Sequence, residues 1–291
     1  MSPRFSRCDL RPRPIAPLSR NTAQLLDKKG IAGGFTATIL ILLALFLSGC
    51  ATPRIAPIPE GFTPLGHDAR IWRQTDGDAY AKEVSALLDR VIAKVEAVHG
   101  LPFLRPPRVF VCAGKPCFRQ LIATPGYTAV VLPGEILALS PRLEMEENER
   151  LPTILAHELS HLHLGQRLGH YTADIPIWFH EGLASLVGDG GGAEYSSDED
   201  ACNAWDSGRR IDFAQLDTPA RRYRAADFKM SIHQFYRQAW RFMQYLQRRD
   251  PEGFADMLYA IQSGTEFVEA VTAAYHTGLE QLSLEFEFDS R

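Results

Sequence analysis

Apolar residues recur at helical spacing through Val84, Leu87, Leu88, Val91, Ile92 and Val95, which predicts a helix over 76–100. Shorter apolar runs follow, Val109-Phe110-Val111 among them, and predict strands at 107–112, 128–132 and 135–139. From Leu151 the pattern turns helical again. Leu151, Ile154, Leu155, Leu159 and Leu162 cover more than one side of a helix of about 15–18 residues. Pro152 suits its first turn, and Gly165 or Gly169 its end. A helix apolar on several sides is expected to lie buried between two lobes. A second helix opens at Pro176 after a short connection. Beyond it come a break at Gly188-Asp189-Gly190-Gly191-Gly192, a polar irregular stretch at 193–230 with room for short helices, and helical patterns at 231–248, 251–262, 265–275 and 279–288. No internal repeat is visible. The fold class is therefore α+β: a domain over 76–291 with a sheet-containing lobe (76–187) and an all-helical lobe (188–291). Residues 50–75 are rich in Pro and Gly and read as a flexible tether.

The apolar helix at 151 carries His157-Glu158-Leu159-Ser160-His161. Positions i and i+4 share one helix face, so both imidazoles can address one ion. Glu158 stands beside the first of them, where its carboxylate can act as a general base toward water. Glu181 lies on the next helix, within Trp178-Phe179-His180-Glu181-Gly182-Leu183-Ala184. A short connection brings consecutive helices side by side, and a buried glutamate needs a partner that a cation provides. Two imidazoles and a carboxylate suit Zn²⁺, one ion per chain, and three protein ligands leave a fourth position open. Taken alone, such a motif also arises by chance in helices whose histidines cap, pair with acids or face solvent; Glu181 is what sets this chain apart. His163, His170 and His180 fit solvent-facing or supporting places better than ligand positions. His163, two residues past His161, points away from the metal face. Asp189, Asp198, Glu199 and Asp200 match no calcium-loop spacing and read as a solvated acidic loop.

With the Trp-x-x-Glu-Gly-x-Ala string after it, the motif resembles the gluzincins, the zinc peptidases whose third ligand is a glutamate on the following helix. It is most similar to their small peptidase-MA-like members, over roughly residues 105–288 and most specifically at 151–187. The resemblance implies a zincin-like fold, peptide or protein substrates, His157, His161 and Glu181 as ligands and Glu158 as catalytic base. The longer metzincin motif does not fit, because Leu164 and Arg167 stand where it needs Gly and His. Thermolysin-type sequences place Asp four residues past the glutamate ligand; here that residue is Ser185, so the partner that steadies a ligand histidine is missing or comes from elsewhere. Gluzincins generally bring a Tyr or His from the helical lobe to the developing oxyanion. The candidates are His233 and Tyr236, with Tyr236 preferred. Zinc peptidases of this type also bind extended peptides along a sheet edge; 129–131 or 136–139 could be that edge, or either could be an internal strand. Two other readings stand beside the peptidase: a metal-holding but inactive envelope scaffold, and an interaction domain in which the motif is accidental. An intact Glu158 favours the enzyme, since a scaffold has no use for the base.

The amino-terminal segment has its own texture. A basic region ending in Lys28-Lys29 precedes an apolar run from Ile31 to Leu47, and Leu47-Ser48-Gly49-Cys50 follows. A basic start and an apolar run make a secretory signal, and the last four residues resemble a bacterial lipobox. The resemblance implies a signal peptide over 1–49 and a lipid on Cys50 as membrane anchor. With no Asp after Cys50, it points to the outer membrane, facing the periplasm; a plain transmembrane anchor is the alternative. Removing the seven basic and two acidic residues of 1–49 from totals of 31 and 35 leaves 24 and 33, a net charge of −9. So acidic a chain is a poor candidate for nucleic acid or anionic lipid bound through charge. Cys112 and Cys117 flank a turn-like insert and either close a small disulfide loop in an oxidising compartment or remain thiols. Cys202 falls in neither group.

Overall fold

The sheet is built from strands too short to stand alone, each made sufficient by its neighbours. The computed structural model describes residues 56–122, 127–132, 135–216 and 220–289, so residues 1–49 and Cys50 lie outside the described residues. Five strands, β1 (Thr63–Leu65), β2 (Asp68–Arg73), β3 (Arg108–Val111), β4 (Ala129–Leu132) and β5 (Ile136–Leu139), form one mixed sheet in the order β1-β2-β3-β5-β4. The β1–β2 and β4–β5 pairs are antiparallel, while β2–β3 and β3–β5 are parallel. Alternation sorts the two faces. Val109, Val111, Leu137 and Leu139 join the main core. Phe110, Cys112, Ile136 and Ala138 face a smaller cluster with Phe62, Cys117 and Phe118. Burial on both faces is why β3 and β5 lack polar alternation.

Ten α-helices accompany the sheet among the described residues: α1 (Asp78–His99), α2 (Lys115–Leu121), α3 (Arg142–Met145), α4 (Leu151–Leu168), α5 (Ile177–Val187), α6 (Asp198–Asp206), α7 (Ile232–Arg249), α8 (Pro251–Gln262), α9 (Phe267–Tyr275) and α10 (Leu279–Asp289). The chain is thus α+β, with the expected helices in place and ends shifted by a residue or two. α4 is buried along most of its circumference, as its apolar pattern requires. It packs on α1, β4 and α5, and α5 packs in turn on α7. At that last contact a Cβ on Gly182 would fall 2.7 Å from the Ala239 carbonyl oxygen and 2.8 Å from Met243 Cγ. Only glycine permits so close an approach. An aromatic core fixes the second half: the Phe213 and Phe242 rings stack at 4.0 Å, and Trp178 of α5 meets both edge-on.

Three sequence expectations change. The expected tether over 50–75 overlaps the sheet, because Thr63–Leu65 and Asp68–Arg73 are strands of it. Leu65 and Ile71 enter the core, and Pro64 is tolerated because β1 is an edge strand. The insert after Cys112 is not merely a turn: α2 starts at Lys115 and carries Cys117 back to bond Cys112, with Cα atoms 5.6 Å apart. The acidic run at 198–200 is no loop but the first turn of α6, where a reciprocal Ser197–Asp200 capping box and the helix dipole favour carboxylates. Cys202, on α6, is buried. No described helix is long and apolar enough to cross a membrane.

Candidate metal centre

α4 presents His157 and His161 one turn apart on the side that faces α5, and α5 returns Glu181 to them. The two Nε2 atoms are 3.2 Å apart, and each lies 3.4 Å from Glu181 Oε2. Two imidazole lone pairs and a carboxylate oxygen at such distances repel unless a proton or a cation sits among them. A tetrahedral ion with bonds of about 2.0–2.1 Å has ligand atoms about 3.3–3.4 Å apart, so the observed triangle has the edges of one face of that tetrahedron. Glu181 Oε2 is buried and lacks a hydrogen-bond partner, a costly state that a cation relieves. The three residues could therefore hold a metal ion.

The surroundings orient these side chains. His157 donates its Nδ1–H to the Gly191 carbonyl at 2.8 Å, which leaves the Nε2 lone pair for the cluster. Burial raises the Glu181 carboxyl, but the adjacent His161 and His157 outweigh it and hold the group well below the ordinary carboxylate range. His180, on α5, donates to the Thr172 carbonyl at 3.1 Å, and its ring centre lies 6.1 Å from that of His161. Burial, reinforced by His161, lowers it to about 4, so it stays neutral. His180 thus takes a supporting place. His163 does face away from the cluster, though it does not reach solvent: it is fully buried, bonded through Nε2 to the Leu101 carbonyl and packed on the His99 ring.

Glu158 sits half-buried beside the triangle. Burial pushes its carboxyl up to about 7; His161 opposes this, Glu181 adds to it, and the Val131 backbone N–H works to lower it. A divalent ion at the triangle would lower it further. Val131 belongs to β4, the edge strand, so the sheet edge and the carboxyl adjoin. Of the two candidate edges, 129–131 is the real one; Ile136–Leu139 is internal, between β3 and β4.

Tyr236, on the first turns of α7, lays its ring against His157 with centres 5.8 Å apart, and its hydroxyl interacts with the Glu181 carboxylate. Burial, with Glu181 and Glu158 close by, pushes its phenol well above the ordinary value, so the proton stays on oxygen. His233 lies one turn earlier and is turned elsewhere, its Nδ1–H donated to the Gly192 carbonyl at 2.6 Å. The structure therefore gathers His157, Glu158, His161, Glu181 and Tyr236 in one place. It keeps His233 at the margin and puts the Cys112–Cys117 disulfide on the far face of the sheet. The 188–192 segment went unrecognised in the sequence as part of the site, although its density of glycine was a signal that backbone must pass close to something. No family model matches the chain, and no curated protein matches it.

Proposed function

We propose that this chain is a zinc-dependent peptidase of the gluzincin type, with a zincin-like fold, and that peptides or proteins are its substrates. The observation that carries the reading is the His157–His161–Glu181 triangle with a half-buried Glu158 beside it. A structural metal site closes its fourth position with a protein ligand; here three ligands converge and an uncommitted carboxyl adjoins them. Zinc, when bound, supplies Lewis acidity, which makes water a nucleophile near neutral pH and polarises a carbonyl. The rest falls to the chain's own residues. Glu158 accepts a proton from the attacking water and returns it to the leaving amine nitrogen. β4 offers its unpaired edge to an extended substrate backbone, which sets the scissile bond beside Glu158. The Tyr236 hydroxyl, still protonated, donates to the oxygen on which negative charge develops.

Digestion of a peptide library by the zinc-loaded protein tests the reading. Discrete cleavage products are expected, and an inert but zinc-containing protein would leave the scaffold alternative in possession. Within that assay Tyr236→Phe is expected to lose about 10²-fold in turnover, the usual cost of one oxyanion donor, with zinc content unchanged. If His233→Ala loses activity instead and Tyr236→Phe does not, the role passes to His233.

We place the enzyme at the outer membrane, facing the periplasm, through lipid on Cys50, on the strength of the basic and apolar leader and Leu47-Ser48-Gly49-Cys50. An oxidising compartment agrees with the Cys112–Cys117 bond. Mass spectrometry of the cell-derived protein is expected to find a diacylglyceryl-modified Cys50 at the amino terminus. A retained 31–49 segment would support a transmembrane anchor in its place.

A further inference from the structure

We propose that Ser185 and the glycine segment 188–192 are positioning elements of the metal centre, replacing with a backbone carbonyl the carboxylate absent at position 185. The inference rests on the metal-binding part of the reading above and is independent of peptide hydrolysis. Gly191 O accepts two hydrogen bonds, from His157 Nδ1 at 2.8 Å and from Ser185 Oγ at 3.0 Å. A carbonyl oxygen has two lone pairs, and both are in use. Ser185 is fully buried and lies one turn beyond Glu181 on α5. The helix that supplies the third ligand thus also pins the group that orients the first.

The segment can reach this position only because it carries no side chains at the contacts. A Cβ at Gly191 would stand 2.6 Å from the Thr153 carbonyl oxygen, and one at Gly188 2.7 Å from the same atom. A Cβ at Gly192 would stand 2.9 Å from the Tyr236 ring and 3.0 Å from His157 Cε1, on a backbone with φ of +87° that disfavours any side chain. Gly192 O meanwhile accepts from His233 Nδ1. Two successive carbonyls therefore hold one histidine from α4 and one from α7, with the Tyr236 ring closing over the same glycine. The chemical consequence is a fixed tautomer: the proton of His157 resides on Nδ1 and its Nε2 faces the cluster. Because the acceptor is neutral, it adds no negative charge to the site, and His157 is a less basic ligand than one paired with a carboxylate.

The test uses the full-length chain in detergent, with Zn²⁺ alone as probe, titrated against a chromophoric chelator. Long-range ¹⁵N–¹H correlation spectra report the His157 tautomer. Wild type is expected to carry its His157 proton on Nδ1. Ser185→Ala is expected to bind zinc about 10-fold more weakly, at the lower end of what loss of such a partner costs, and to show a share of His157 with the proton on Nε2. Gly192→Ala is expected to weaken zinc binding further. Should Gly192→Ala fail to fold, the Ser185→Ala affinity and the tautomer decide. Zinc binding and tautomer both unaltered in Ser185→Ala, or a wild-type His157 protonated on Nε2, would overturn the proposal while leaving the metal site standing. A wild-type protein that takes up no zinc would overturn the metal reading and this inference together. Loss of peptide cleavage with zinc affinity intact would bear on the hydrolytic reading alone.

Discussion

Glu158→Gln is expected to reduce peptide turnover by about 10²–10⁴-fold, the range attributed to a general acid–base, while the protein binds zinc as wild type does. Glutamine has nearly the shape of glutamate and still accepts a hydrogen bond from the Val131 N–H, so the pocket between α4 and β4 should persist. What it cannot do is take a proton from water and return it to the departing amine. Removing a half-buried ionisable group also removes a desolvation cost, and the variant should be at least as stable as wild type in thermal unfolding. Initial rates on a cleaved peptide, normalised to zinc content, make the measurement. Turnover within a few-fold of wild type would mean that Glu158 is not the base.

His161→Ala should abolish stoichiometric zinc uptake. The ligand triangle then loses one corner, and a two-ligand site falls short of the three protein ligands that hold a catalytic zinc. The loss should exceed the roughly 10–100-fold that follows from disturbing a supporting hydrogen bond. A second readout needs no substrate. Zinc that binds only the folded state stabilises it by about 2.7 kcal/mol at one hundred times its dissociation constant, so wild type should unfold at higher temperature when zinc is added and His161→Ala should not. The variant also leaves Glu181 Oε2 with a single histidine neighbour in place of two. Its carboxyl should then rise from its depressed value toward the ordinary range. Zinc retained at one ion per chain in a His157→Ala/His161→Ala double variant would sink the site assignment.

Much of this was legible in the sequence because it is local. The turn of an α-helix puts residues four apart on one face, so His157 and His161 face one point wherever α4 is placed, and Glu158 must stand beside them. Pro152 and Pro251 mark helix starts because no N–H is needed there, and the Ser231 cap does so through hydrogen bonds that span three residues. Glu181 could be added because a short connection leaves the next helix few places to go. Tertiary structure alone decided the rest, where the partners are distant in the chain. His157 and the carbonyl that orients it are 34 residues apart, and that partner is a backbone atom, which no side-chain pattern encodes. Tyr236 and His233 share a helix turn, and sequence alone supports no more than a preference for Tyr236; the packing of α7 on α5 across Gly182 brings Tyr236 to Glu181 and turns His233 onto Gly192. Strand order has the same character. Residues 63–73 read as a proline-rich tether and 129–132 as one of two possible edges, because a three- or four-residue strand acquires its identity from the neighbour it pairs with. Pairing is a non-local choice: the backbone hydrogen bonds are the same everywhere along a chain, and only the apolar surface that must be covered selects which of them form.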